Sequence, residues 1–283
     1  MAVRGRALRH SDAMTSPPED DALYLEDGDR FVPTAHTGGP WSAHHQFGGA
    51  PAALVGQLLE RVPTLVPMHV ARLTVDLLRP VPIRPARVVV RVVREGKRVQ
   101  VLEASVVVDD VEVVRASALR VRTVDLHDLT LPQGEARIGP PVVPSRTFAR
   151  PRSTRPVPGI ARALEYAYAT EGGIFDDPTW VRLCLPVIAE EDSSPLARLA
   201  FLADCASAVG HPREADVSGI NADITLNVIR YPSADWLCVI GEGWTGGDGI
   251  GLAQATLSDE AGVVAGASLV RLVERDPDGA PWR

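Results

Sequence analysis

Residues 73–122 recur as residues 224–273, 151 positions later and without a gap. Leu73-Thr-Val-Asp-Leu-Leu-Arg79 lies over Ile224-Thr-Leu-Asn-Val-Ile-Arg230, and Ala116, Ser117 and Arg120 lie over Ala267, Ser268 and Arg271. Nine of the fifty pairs are identical, a modest number for a chain rich in Val, Ala and Arg. The weight lies elsewhere: apolar, small and charged classes stay in step with no insertion. The pattern reads as two copies of one supersecondary unit, so positions where the copies differ in chemistry point to function.

Each copy predicts a helix followed by long strands. Residues 51–62 carry apolar side chains at helical spacing, with Pro51 in the first turn and Pro63 as terminator. Val-rich runs follow at 73–78, 88–94, 99–108 and 112–122, broken by Pro80-Val-Pro82, Glu95-Gly-Lys97 and Asp109-Asp110. Several runs are apolar on both faces, as expected of a sheet covered on each side. Residues 24–32 predict a strand pair around Asp27-Gly28. In the second half, 164–169 and 179–185 read as strands. A helix then runs from Ser194-Pro195 through Val209, with Ser as N-cap and Gly210 as stop. The expected organisation is a leader at 1–21, one unit at 22–130, a proline-rich linker at 131–158 and a second unit at 159–283.

A composition 45% hydrophobic and 23% charged is that of a globular protein with a sizeable core. No apolar run is long enough to span a membrane, and Met1 to Asp21 contains no signal-peptide core. Cys184, Cys205 and Cys238 form neither a disulfide framework nor a metal spacing, which predicts a reducing cytoplasm. A net charge of −7 argues against general nucleic-acid binding, yet leaves room for a small phosphorylated ligand met by a few arginines.

The repeated order of Gly-Gly loop, small-residue helix and long strands resembles the tandem, or double, hot-dog fold, an α+β architecture. Within it the chain is most similar to the acyl-CoA thioesterase II type. The residues that carry this are Gln46-Phe-Gly-Gly49, Leu77-Leu-Arg-Pro80, Leu202-Ala-Asp204 and Ile229-Arg-Tyr-Pro-Ser-Ala-Asp-Trp236, within about residues 22–275. The physical logic agrees: one unit leaves a sheet edge and an apolar face uncovered, and pairing two units shields both.

Extending the 151-residue offset back into the helices sets Ala53 against Asp204, so the carboxylate stands only in the second copy. On an apolar helix it loses hydration unless hydrogen bonds compensate. The resemblance implies that it is a general base holding a water against a thioester; the residues alone also allow a solvent-facing Asp or one paired with Arg198. The second polar group implied is Asn221, with Thr225 as substitute, and a turn role for Asn221 is equally open. A third group, a Gln in the resembled family, falls on Leu269, and Ser268 would face the other way. Gly48 and Gly49 at a helix N-terminus could offer backbone N–H groups to a ligand carbonyl, or serve only a tight turn. Arg79 and Arg230, with Arg84 and Arg87, are candidates for the phosphates of coenzyme A. His44 and His45 read as loop residues. Val209 stands where hot-dog hydratases carry a His, and the histidines show no metal spacing.

The expectation is therefore a cytoplasmic acyl-CoA thioesterase, needing no cofactor beyond the coenzyme A of its substrate and pairing as a homodimer or larger homo-oligomer. The alternative, favoured by Leu269, is a protein that binds acyl-CoA without cleaving it.

Overall fold

The structure, a computed structural model, describes residues 21–40, 42, 44–130, 159–168, 178–208 and 217–275. The expected linker, nearly all of the leader and the Val209-Gly210 stop lie outside the described residues.

A hairpin, β1 (Tyr24–Asp27) and β2 (Arg30–Pro33), turns at Gly28 with a φ of 63°. Then come α1 (Gly49–Glu60), β3 (Met68–Leu77), β4 (Arg87–Arg94), β5 (Val99–Val108) and β6 (Val111–Arg122). The second half runs β7 (Leu164–Tyr168), β8 (Thr179–Leu183), α2 (Pro195–Cys205), β9 (Val217–Asn221), β10 (Asp223–Val228), β11 (Leu237–Thr245), β12 (Ile250–Asp259) and β13 (Gly262–Arg275). β5 and β12 begin 151 residues apart, as do β6 and β13, so the sequence repeat is a repeat of strands.

Among the described residues eleven strands form one sheet in the order β4-β5-β6-β3-β10-β13-β12-β11-β8-β7, with β9 also on β13. The order mirrors itself about the β3–β10 seam, where Thr74 faces Thr225. Here is the double hot-dog arrangement: two sheets made continuous at the edge that each would otherwise expose. Asp109 and Asp110, with φ of 48° and 60°, close β5 onto β6. Such left-handed pairs suit the twist of a two-residue hairpin, and Asp tolerates them better than most residues.

The helices pack antiparallel inside the sheet. Gly56 of α1 lies so close to α2 that a Cβ there would come within 3.2 Å of Ala197 Cα. Every α1 residue from Gly49 to Leu59 is buried, which explains a helix apolar all round. Leu54, Leu59, Leu196 and Leu199 are wholly enclosed, each contributing about 1.5–3 kcal/mol by leaving water.

Two matched arginines fasten the helices to their strands. Arg120 of β6 donates to the carbonyls of Val62 at 2.8 Å and Leu59 at 2.5 Å, at the C-terminus of α1. Its counterpart on β13, Arg271, donates to Ser207 O at 2.9 Å, just past α2. A cation among the unpaired carbonyls of a helix end satisfies them and meets the negative end of the dipole.

The helices themselves do not keep the offset of the strands, since α1 and α2 begin 146 residues apart. Ala53 is therefore not the counterpart of Asp204. Gln57 is: it accepts from Ser194 N at 2.7 Å, at the start of α2, as Asp204 accepts from the start of α1. The connection from helix to strand is longer in the second copy, so a gapless alignment fails where these elements join.

Candidate active site

Asp204 lies in the last turn of α2 and is 1% exposed. Its own helix offers it the negative end of a dipole, which disfavours a carboxylate. It faces the positive end of the other helix instead: Gly49 N–H, the first of α1, donates to Oδ2 at 2.7 Å. Asn221, at the end of β9, donates from Nδ2 to Oδ1 at 2.5 Å. Burial pushes the carboxyl up to about 6, and the Asn221 and Gly49 hydrogen bonds restrain the rise. The group is thus charged above pH 6 and basic enough to take a proton from water.

The sequence explains the close approach. α1 has no side-chain cap on its first turn, and the Asp204 carboxylate reaches across to one of its open N–H groups. Gly48 and Gly49 leave room for it. A Cβ on Gly48 would meet Asp204 Oδ2 at 3.0 Å and Leu77 Cδ1 at 2.9 Å; one on Gly49 would meet Phe201 O at 2.6 Å. Both glycines were candidate donors, but only one remains open: Gly49 N–H is held by Asp204, whereas Gly48 N–H donates to no group among the described residues. Gly48→Ala should therefore displace the carboxylate and lower any hydrolysis by ten-fold or more, roughly the cost of one displaced catalytic contact. Steady-state rates at unchanged folded fraction, followed by circular dichroism, check this.

Asn221 is aimed inward by a β-bulge. β13 pairs Arg271 with Asn221 and Ser268 with Thr225, so three residues of one strand face two of the other. The first copy has a bulge at the matching place, between Val70 and Arg72, but presents Val70 there. Thr225 sits on the opposite side of the strand from buried Ile224 and Leu226, with its hydroxyl 3.3 Å from Asp223 Oδ2. Leu269 is fully buried on the inward face of β13, and Ser268 points the other way.

The candidate phosphate ligands are less uniform. Arg79 is exposed just past β3. Arg84 pairs with Asp109 at 2.5 Å and Arg87 with Asp110 at 2.8 Å, all at the surface. Arg230 is committed elsewhere: its NH1 donates to Asp259 Oδ2 at 2.8 Å, its NH2 to Oδ1 and to Gly262 O at 2.9 Å. Asp259 also accepts from Ser233, so this cluster braces the β12–β13 turn. Its carboxyl is held well below the usual range, chiefly by Arg230. His45 bonds Ser42 at 2.9 Å and His44 is exposed, so neither joins the carboxylate. Two polar groups escaped sequence reading, Arg271 and Asp223. The identity of Arg120 with Arg271 was the visible signal for the first; nothing in the sequence marked the second.

Residues 37–121 match the family of acyl-CoA thioesterase N-terminal domains, and residues 140–269 match that of acyl-CoA thioesterase C-terminal domains. No curated protein matches significantly. Among solved structures, a conserved hot-dog protein of unknown function from Alicyclobacillus acidocaldarius superposes with a TM-score of 0.67 at 18% identity, over 90% of this chain and 97% of its own. An acyl-CoA thioesterase II, TesB2, from Mycobacterium marinum gives 0.58 at 16% identity, over 91% and 96%. The tesB protein of Mycobacterium avium subs paratuberculosis gives 0.58 at 16%, over 89% and 95%. At such identities the likeness speaks for the fold.

Proposed function

Since the chain belongs to the tandem hot-dog acyl-CoA thioesterase family, we propose that it hydrolyses acyl-CoA to a free acid and coenzyme A at Asp204. The observation that carries this is the buried Asp204 carboxylate, held between Asn221 and the N-terminus of α1. Asp204 takes a proton from a water as the water oxygen attacks the thioester carbonyl carbon. Asn221 fixes the carboxylate, and the second N–H of its amide is the donor that orients that water. Gly48 N–H, at the positive end of α1, stabilises the oxyanion of the tetrahedral intermediate. Collapse of the intermediate breaks the C–S bond, and the thiolate takes the proton. No metal or redox cofactor enters this chemistry. Arg79 is the arginine of this set best placed to meet a coenzyme A phosphate, being exposed and without an ion pair among the described residues. Three free cysteines, two of them buried, support a reducing location such as the cytoplasm. No helix of the described residues is long and apolar enough to cross a membrane.

The test is release of free thiol from a series of short-, medium- and long-chain acyl-CoAs. On the responsive chain lengths kcat/KM should rise with pH through about 6, because only the ionised Asp204 can accept a proton. Rates equal to those of Asp204→Ala on every substrate would remove the proposal. One observation favours a second reading: a fully buried Leu269 where the family's third polar group is expected. That reading, acyl-CoA binding without cleavage, is selected by tight calorimetric binding with the thioester intact after hours.

A further inference from the structure

Asn221 depends for its direction on a strand that stops pairing beside it. In the first copy the ladder steps over one residue, Ala71, and resumes at once with Arg72 against Leu119. In the second copy the gap is wider: pairing of β13 with β9 ends at Asn221 and pairing with β10 resumes only at Thr225. Ala222 N still donates to Val270 O at 2.9 Å. The N–H of Val270 turns to a side chain, Asp223 Oδ1, at 2.7 Å. The two copies therefore differ twice over the same three residues. Val70-Ala-Arg72 in the first copy stands against Asn221-Ala-Asp223 in the second.

We propose that Asp223 is a positioning residue: its carboxylate supplies the acceptor that the interrupted strand lacks, and so holds Asn221 in line with Asp204. This rests on the hydrolytic reading of the site. A strand hydrogen bond made by a side chain fixes the bulge in one geometry, where a main-chain pairing would draw Asn221 back into regular register. The charged neighbours of Asp223 are Asp76, directly opposite on β3, and Arg115, opposite Asp76 on β6; the Thr225 hydroxyl donates to it as well. Asp223 itself does not touch the reacting atoms. Its influence passes through Asn221 to Asp204, beside which Cys205 is the adjacent titratable group.

The experiment compares Asp223→Ala with Asp223→Asn, whose amide oxygen preserves the acceptor. Two readouts are taken: kcat and KM for acyl-CoA, and the titration of Asp204 followed by carboxyl carbon NMR. In Asp223→Ala, kcat should fall about ten-fold with KM within about two-fold, the scale of one lost hydrogen bond to a charged group. The Asp204 titration should move up by about half a pH unit or more, because Asn221 no longer restrains it. Asp223→Asn should recover most of both. Should Asp223→Ala fail to fold, Asp223→Val, which suits a strand and carries no acceptor, replaces it. Wild-type kcat and an unmoved Asp204 titration in the alanine variant overturn the inference, as does equal damage in both variants with the titration unmoved. If the wild type cleaves no acyl-CoA, the hydrolytic reading fails on its own and the titration still decides the role of Asp223.

Discussion

Asp204→Asn is expected to lower kcat/KM for acyl-CoA by about 10²–10⁴-fold, the usual contribution of a positioned general base. The same change is expected to raise stability above pH 6. The folded carboxyl titrates at about 6 against an ordinary aspartate value of 3.8, so the folded state binds its proton more tightly than the unfolded chain does. Stability therefore falls as pH rises from about 4 to about 6 and stays reduced above. A shift of about two units corresponds to roughly 3 kcal/mol of cost for keeping the charge buried, and the neutral amide escapes most of it. Loss of turnover with a higher melting temperature at pH 8, and little difference at pH 4, is the joint outcome to look for in calorimetry and thiol-release assays. A surface aspartate would give neither change.

The largest loss of stability is expected from Arg230→Met. Asp259 has no exposed side-chain surface and Arg230 is about one-third exposed, so removing the cation leaves a buried carboxylate without its main partner. Breaking such a pair from one side costs about 3–5 kcal/mol, or a fall of roughly 5–15 °C in Tm for a chain of this size. Because the Asp259 carboxyl is held low in the folded state, the pair stabilises at pH values above the ordinary carboxylate range and loses its effect as pH falls through it. The difference between variant and wild type should accordingly be full at pH 7 and shrink toward pH 3. KM for acyl-CoA should stay unchanged, since this guanidinium is occupied by Asp259. A raised KM with unaltered Tm would instead return Arg230 to the phosphate-binding role that its position after the first strand suggested.

Periodicity and a gapless repeat made the strands legible. Residues 99–108 are β5 as expected, and the second-copy strands follow at the offset that the repeat predicts. Strand pairing allows little drift, because a slip by one residue turns every side chain to the other face. The helices were less legible. α1 begins at Gly49, ahead of the expected Pro51, since its N-terminus is satisfied by a carboxylate 155 residues away, a contact no local signal announces. The same long-range contact explains why Gln57, not Ala53, mirrors Asp204. Asp204 stood out in sequence through an offset that the helices do not keep and through the resemblance, and Asn221 through the resemblance alone. A repeated arginine at a strand end, such as Arg79 or Arg230, looks alike in sequence whether it waits for a phosphate or closes a turn. The partner of Arg230, Asp259, is distant in sequence and pairs through the fold.

The most direct test is a crystal structure of the Asp204→Asn variant with an acyl-CoA that it turns over too slowly to consume. The account predicts the thioester carbonyl oxygen at Gly48 N–H, the carbonyl carbon one water away from residue 204, and Asn221 beside that water. A thioester seated anywhere else, with residue 204 still enclosed between Asn221 and Gly49, would contradict it.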